Sequence, residues 1–403
     1  MSTLLACQKQ ASIQVSVPDW ASHAVWYQIF PERFANGDVS NDPKSSDIRG
    51  SWPHDSSPYH PAVWTADWYK RQPGETSDNG FYYDVQRRRY GGDLQGVLNR
   101  LHYLQDLGVN AIYFNPLFES PSLHKYDGAS YHHIDNNFGP TPLQDSALVT
   151  SEIPDDPSTW KWTGADSLFL KLVKECHKRG IRIIIDGVFN HVGMNFWAFQ
   201  DVMKRQGDSK YVSWFTIHKW DDKRTPQDEF EYAGWYDVKE LPEIREDNEG
   251  PPAGFREYVF SAVHRWMDPN GDGDPSDGID GWRLDVAELV SKNFWRQFRK
   301  VVKGINSEAY IVGEVWWQDW SHNKMFDASA WLQGDIFDAV MNYRLAAEAV
   351  HFFVDKENKI TASEFDSRLS SLRADYPDEV NRVLMNLYDS HDTDRIASQV
   401  VNR

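Results

Sequence analysis

The chain has 403 residues, a formal net charge of −18, and 18 Trp, 18 Tyr and 21 Phe. That length holds either two average domains or one large barrel with an insertion, with a sizeable core in both cases. The acidic balance excludes a nucleic-acid partner, whose phosphates need Lys and Arg, and no basic helix points to a membrane surface. No apolar run approaches the ~20 residues of a spanning helix.

Residues 1–23 read as an N-terminal tail. Its "LLAC", ending at Cys7, resembles the lipid-attachment box of bacterial lipoproteins and favours a cell-envelope, periplasmic or secreted location. "MST" leaves no charged region or apolar run ahead of it, so a cytoplasmic location stays open. With only Cys7 and Cys176 present, no disulfide framework is implied. Cys176 falls in a helical pattern, as a small buried apolar residue.

From residue 24 onward, short apolar runs alternate with amphipathic patterns. "AVWYQIF" (24–30), "NAIYFNP" (110–116), "IRIIIDGVF" (181–189), "GIDGWRLDV" (278–286), "AYIVGEV" (309–315), "DIFDAVMNY" (335–343) and "VLMNLYDS" (383–390) read as strands. "LQGVLNRLHYLQDLG" reads as one helix, with Leu94, Val97, Leu98, Leu101, Leu104 and Leu107 on its apolar face. "ADSLFLKLVKECHKRG" and "NFWRQFRKVVKGIN" repeat the pattern. Buried strands alternating with helices predict an α/β fold with a parallel sheet, and the number of strands favours a (β/α)8-type TIM barrel. No GxGxxG follows the first strand, which weighs against a dinucleotide fold. Residues 24–191 and 254–403 form the two parts of the predicted barrel, and 192–253 an inserted subdomain after strand 3. Seven strands precede Arg403, so the barrel is expected to end before strand 8, leaving unpaired edges and a poorly soluble or weakly active chain.

Polar residues gather where these strands finish: Asp186, Asn190 and His191, then Arg283 and Asp285, then Glu314, then His391 and Asp392. In a parallel barrel the carboxyl ends of all strands open on one face, where active sites sit. Arg283 and Asp285 are two apart on a strand and share a face. The arginine is expected to lower the pKa of Asp285, and partial burial among Val312, Val315 and Trp316 to raise that of Glu314. One ionised and one protonated carboxyl suit acetal hydrolysis with retention. The many aromatics also suit sugar rings.

"DGVFNH", "GWRLDVAEL", "GEVW" and "SHDTDR" resemble, in order and spacing, the four motifs of the α-amylase family, glycoside hydrolase family 13. The resemblance implies Asp285 as nucleophile, Glu314 as acid/base and Asp392 as transition-state stabiliser. It implies Arg283, His191 and His391 holding the sugar beside the cut, Tyr126 of "HKYD" stacking on it, and Asp127 beside Tyr126. "YQIFPERFANGD", "YGGDLQG" and "SLHKYDGASYHHIDNNFG" resemble the neopullulanase, cyclomaltodextrinase and maltogenic amylase branch. "ELPEI" is similar to that branch's short motif in the inserted subdomain, with Glu243 in place of its Lys. Val286, Ala287, Glu288 and Leu289 depart from the branch's Val-Ala-Asn-Glu. Bond preference, α-1,4 or α-1,6, and hydrolysis against transfer therefore stay open, as does a non-catalytic glycan-binding barrel. The implied partner is an α-glucan substrate; the oligomeric state is not legible.

The loop "NGDVSND" offers hard oxygen ligands for a structural Ca2+. The same branch resemblance implies Asn36, Asp38, Asn41 and Asp42, with Gly91 and Asp93 of the "GGD" turn. "DPNGDGDPSDG" (268–278) is superficially EF-hand-like, but Ile279 stands where the bidentate Glu belongs, so it reads first as a turn-rich connection.

Overall fold

Five of the seven apolar runs become strands of one parallel sheet: β1 (Trp26–Ile29), β2 (Ala111–Phe114), β3 (Arg182–Gly187), β4 (Gly281–Leu284) and β5 (Tyr310–Gly313). They lie side by side in chain order, with Trp26 opposite Ala111, Ala111 opposite Arg182, Asp186 opposite Arg283 and Arg283 opposite Val312. The computed structural model describes residues 15–49, 51, 61–65, 67–73, 75, 78, 80–357 and 359–402, so Cys7 lies outside the described residues. The chain divides into two compact units, His23–Glu314 and Val315–Arg403 with the residues up to Ser22.

Within the first unit, helices α1 (Leu94–Asn99), α2 (Leu101–Asp106), α3 (Gly164–His177), α4 (Ala253–Met267) and α5 (Lys292–Ile305) separate the strands. The predicted helix over 94–107 is two. Arg100 leaves helical geometry at φ −107°, ψ 5°, and its N–H takes the tighter i−3 bond to Val97. Leu94, Val97, Leu101 and Leu104 stay buried, whereas Leu107 turns out to solvent at 55% exposure, contrary to the single-face expectation. Helix α3 starts on a capping box of Thr163 and Asp166, worth about 1 kcal/mol. It buries Phe169, Leu172, Val173 and Cys176, and burial pushes the Cys176 thiol up to about 12, which makes it an inert core residue. Trp266, Trp282 and Trp295 are fully buried against Phe118, Phe189 and Phe298.

The 192–253 stretch carries a helix at Trp197–Arg205 and an antiparallel ribbon, Ile217–Lys219 with Glu231–Tyr232. Residues 268–278 form the expected run of turns. Asn270, Asp272 and Asp274 each accept the N–H two residues on.

In the second unit the two remaining strand predictions shrink. "DIFDAVMNY" yields only β6 (Ala339–Val340), and "VLMNLYDS" forms no strand beyond one parallel bridge, Met341 to Met385. Side chains capture the backbone instead: Thr393 Oγ1 accepts from Ser390 N, and Asp389 from Ile396 N. No helix among the described residues is long and apolar enough to cross a membrane.

Candidate active site

Alternation along β4 sends Trp282 and Leu284 one way and Arg283 the other, and Asp285 follows Arg283 to the same face. Arg283 is fully buried, and its guanidinium is divided among three carboxylates from three neighbouring strands. Nη1 lies 3.0 Å from Asp186 Oδ1 and 2.6 Å from Asp285 Oδ1, while Nη2 lies 2.7 Å from Glu314 Oε1. Asp186 belongs to β3, Asp285 follows β4 and Glu314 follows β5, so all three stand at carboxyl ends. One guanidinium holding both Asp285 and Glu314 keeps their carboxyls inside the ~10 Å beyond which a paired-carboxylate mechanism fails.

Burial pushes Asp285 well above the usual carboxylate range, Arg283 pulls it down, and Glu314 and Asp186 push it up again. Burial likewise raises Asp186 against the pull of Arg283. Arg283 does pull Asp285 down, but the expected net lowering is corrected: the carboxyl is raised. One cation faces three buried carboxyls, so its pull is shared and desolvation wins.

The wall beside them is built of hydroxyls. Tyr113 and Tyr126 both donate to Asp186 Oδ2, at 2.6 and 2.9 Å. Asn115 Nδ2 reaches the Tyr126 hydroxyl at 3.0 Å, and Gln28 Nε2 orients Asn115. The Tyr126 ring is thereby fixed at its tip and half-buried. Asp127 is almost wholly buried and accepts the hydroxyls of Ser120, at 2.5 Å, and Ser122. Asp127 thereby braces the loop that carries Tyr126.

His191 is buried, and its ring stacks on Trp235 with centroids 4.9 Å apart and planes at 14°. Burial, helped by His124, lowers its pKa to about 3, so the imidazole is neutral at pH 7. Its Nε2 finds no donor or acceptor among the described residues. Residues 190–192 bond to 242–244 of "ELPEI": Val192 N to Pro242 O, and Ile244 N to Asn190 O, both at 3.0 Å.

Reasoning from the sequence missed Tyr113, Asn115 and Trp235, and the turn after the nucleophile candidate. Tyr113 and Asn115 had a signal, being two apart at the carboxyl end of β2. Trp235 had none. Val286 adopts φ 45°, rare for a β-branched residue and a strain of about 1–3 kcal/mol. There its N–H donates to Glu314 Oε2 at 3.0 Å. Strain thus fixes one carboxyl of the pair relative to the other. In the second unit, His391 Nε2 lies 3.1 Å from Asp392 Oδ2, and Asp392 N–H donates to Ser390 Oγ. Trp316 stacks on Tyr343 with centroids 3.9 Å apart.

The loop of residues 36–42 folds against the Gly91–Asp93 turn. Asn36 Nδ2 donates to Asp42 Oδ1 at 2.7 Å, while the buried Oδ1 atoms of Asn36 and Asn41 have no partner among the described residues. Asp93 is committed to the backbone N–H groups of Gly37, Asp38 and Gly96, and Asp38 to Ser40. These two carboxylates thereby shape the loop.

Comparison with known proteins bears on this arrangement. The α-amylase family profile, "Alpha amylase, catalytic domain", matches residues 28–150 and 158–403. Neopullulanase 2 of Thermoactinomyces vulgaris is 40% identical over 380 residues, 94% of this chain and 52% of that protein. A cyclomaltodextrinase of Thermoanaerobacter pseudethanolicus is 39% identical over 378 residues, again 94% of this chain and 52% of its own. The chain thus spans about half the length of these curated relatives. Among solved structures, the cyclic α-maltosyl-(1→6)-maltose hydrolase of Arthrobacter globiformis superposes with a TM-score of 0.71 at 32% identity, covering 96% of this chain and 70% of that one. The match carries the (β/α)8-barrel fold of the catalytic domain. This chain belongs to the α-amylase family.

Proposed function

We propose that the protein is a retaining α-glucan hydrolase, cleaving α-1,4 or α-1,6 glucosidic bonds of maltooligosaccharides, cyclodextrins, starch or pullulan. The observation that carries this is the placement of Asp285 and Glu314 on one guanidinium at the ends of adjacent strands. Family membership and the names of the similar proteins support it.

In this reading Glu314 protonates the glycosidic oxygen while Asp285 attacks the anomeric carbon from the opposite face. The leaving sugar departs with the Glu314 proton, and a glucosyl–aspartate ester remains. Glu314, now a carboxylate, takes a proton from water, whose oxygen breaks the ester with net retention. Arg283 keeps the pair in place, Tyr126 offers its ring face to the sugar, and the unpartnered Nε2 of His191 meets a hydroxyl. The family resemblance gives Asp392 and His391 the part of steadying the oxocarbenium ion.

Separate incubations with starch, pullulan and cyclodextrin, followed by sizing of the products, test the proposal. Short glucans with initially α-configured ends are expected; β-configured ends or intact polymer would reject it. Products longer than the substrate would identify transfer to a sugar acceptor.

The same reading includes a structural calcium ion. The unpartnered amide oxygens of Asn36 and Asn41, the Asp42 carboxylate and the Gly91 backbone fit a hard cation. The ion would supply only charge compensation to the loop. Chelation is expected to lower the melting temperature, because a ligand at 100 times its Kd stabilises the folded state by about 2.7 kcal/mol. A Cβ at Gly91, whose φ is +67°, would sit 2.2 Å from Asp42 Oδ1. Gly91→Ala should therefore abolish the calcium-dependent shift in a thermal melt. A shift equal to that of the unaltered protein would rule this site out.

A further inference from the structure

Beyond the carboxylate cluster, the loop that follows Tyr126 carries a second group of buried polar side chains. His132 and His133 lie on this loop, Glu152 on the segment before α3, and one ligand-capable atom of each falls within 4.8 Å of the others. His132 Nε2 is 3.5 Å, and His133 Nε2 2.7 Å, from the same oxygen, Glu152 Oε2. Tetrahedral coordination with bonds of about 2.0–2.2 Å sets ligand atoms roughly 3.3 Å apart, so small side-chain movements suffice.

Each of the three is already oriented by its other polar atom. His132 Nδ1 lies 2.8 Å from the Tyr258 hydroxyl, and the ring stacks on Trp160 at 4.4 Å. His133 Nδ1 lies 2.8 Å from Asp166 Oδ2. Glu152 Oε1 accepts the Lys161 N–H at 2.6 Å, which turns Oε2 toward the two rings. Asp166 is held in turn by Arg265, at 3.0 Å, and by the Ile134 N–H, at 2.8 Å. Imidazoles whose far nitrogens bond to a carboxylate or hydroxyl have the supporting pattern of metal-ligating histidines. The three residues line a cavity of about 250 Å³, which leaves room for water at a fourth position.

We infer that His132, His133 and Glu152 form a binding site for a divalent transition-metal ion of the zinc class. Two imidazoles and one carboxylate select such ions over calcium, which takes oxygen ligands alone. The cation takes the place of the proton between His133 Nε2 and Glu152 Oε2, and that proton leaves to solvent. Binding joins the loop that follows Tyr126 to the segment before α3, so the ion stabilises the fold by mass action.

The test uses the whole chain, stripped of metals and then kept in excess Ca2+ throughout. Titration with Co2+ alone should give one equivalent with the strong visible absorption of tetrahedral coordination, and Zn2+ should displace it. His132→Gln and Glu152→Gln should lose that spectrum while melting as the metal-free parent does. Tyr258→Phe, which removes the hydroxyl that orients His132 and also accepts the Tyr131 N–H, should weaken Zn2+ binding by about 10-fold. Should the variants fail to fold, crystals of the unaltered protein grown with Zn2+ decide the matter. An anomalous peak at the zinc edge between the three side chains supports the site. No tetrahedral Co2+ spectrum, the same spectrum in His132→Gln, or a zinc peak elsewhere only would overturn it.

Discussion

Replacing Asp285 by Asn is expected to lower turnover of a maltooligosaccharide by about 10⁴-fold or more, the scale seen when a member of a catalytic unit is removed. Nearly isosteric with aspartate, asparagine leaves the packing around Arg283 intact but cannot form the glycosyl ester. Glucan binding should persist, because His191 and Tyr126 are untouched. The check is threefold: rates with the variant purified free of parent enzyme, binding by calorimetry, and the mass of the peptide bearing residue 285 after a slow fluorinated substrate. A label found on another carboxylate, or near-normal turnover, would remove Asp285 from the role of nucleophile.

Arg283→Met should produce the largest loss of stability, about 3–5 kcal/mol, because it strands buried carboxylates without their cation. Against a total of about 5–15 kcal/mol, that brings the protein close to unfolding. The loss depends on pH, and its sign follows from the raised folded-state values of Asp285 and Asp186. Between the unfolded value, about 3.9, and the higher folded value, the native state binds more protons than the unfolded one. Stability therefore falls as pH rises through that window. Without Arg283 the folded values climb further and the window extends toward alkaline pH. Urea unfolding at pH 5 and pH 8 should show a larger deficit at pH 8. Equal deficits at the two pH values, or a loss below about 1 kcal/mol, would mean that Arg283 is not the counter-charge described.

Much of the site was legible because it obeys local rules. The i, i+2 spacing of Arg283 and Asp285 put them on one face, and polar residues just past apolar runs marked the carboxyl ends. What stayed hidden is non-local. That Arg283 divides itself among Asp186, Asp285 and Glu314 depends on the registers of β3, β4 and β5, and the net direction of the Asp285 pKa depends on that division. The break at Arg100 and the loss of the seventh strand have a related cause. In both places short-range bonds, to Val97 or from Asp389 and Thr393, compete with the regular pattern that periodicity predicts. His132 and Glu152 are 20 positions apart, and only folding makes them neighbours.

The bonding of residues 190–192 to 242–244, with Trp235 lying on His191, bears on modularity. A loop that merely decorates a barrel can be shortened or exchanged without rewriting the scaffold beneath it. Here the 192–253 stretch supplies the flat lid over a histidine at the end of β3 and hydrogen-bonds along the same three residues. A graft from a relative would have to bring its own surface for that ring, or the imidazole would lie open to water and lose the burial that holds its pKa low. Recombination within this family should therefore succeed when the strand-end segment and its cover travel together as one inherited block.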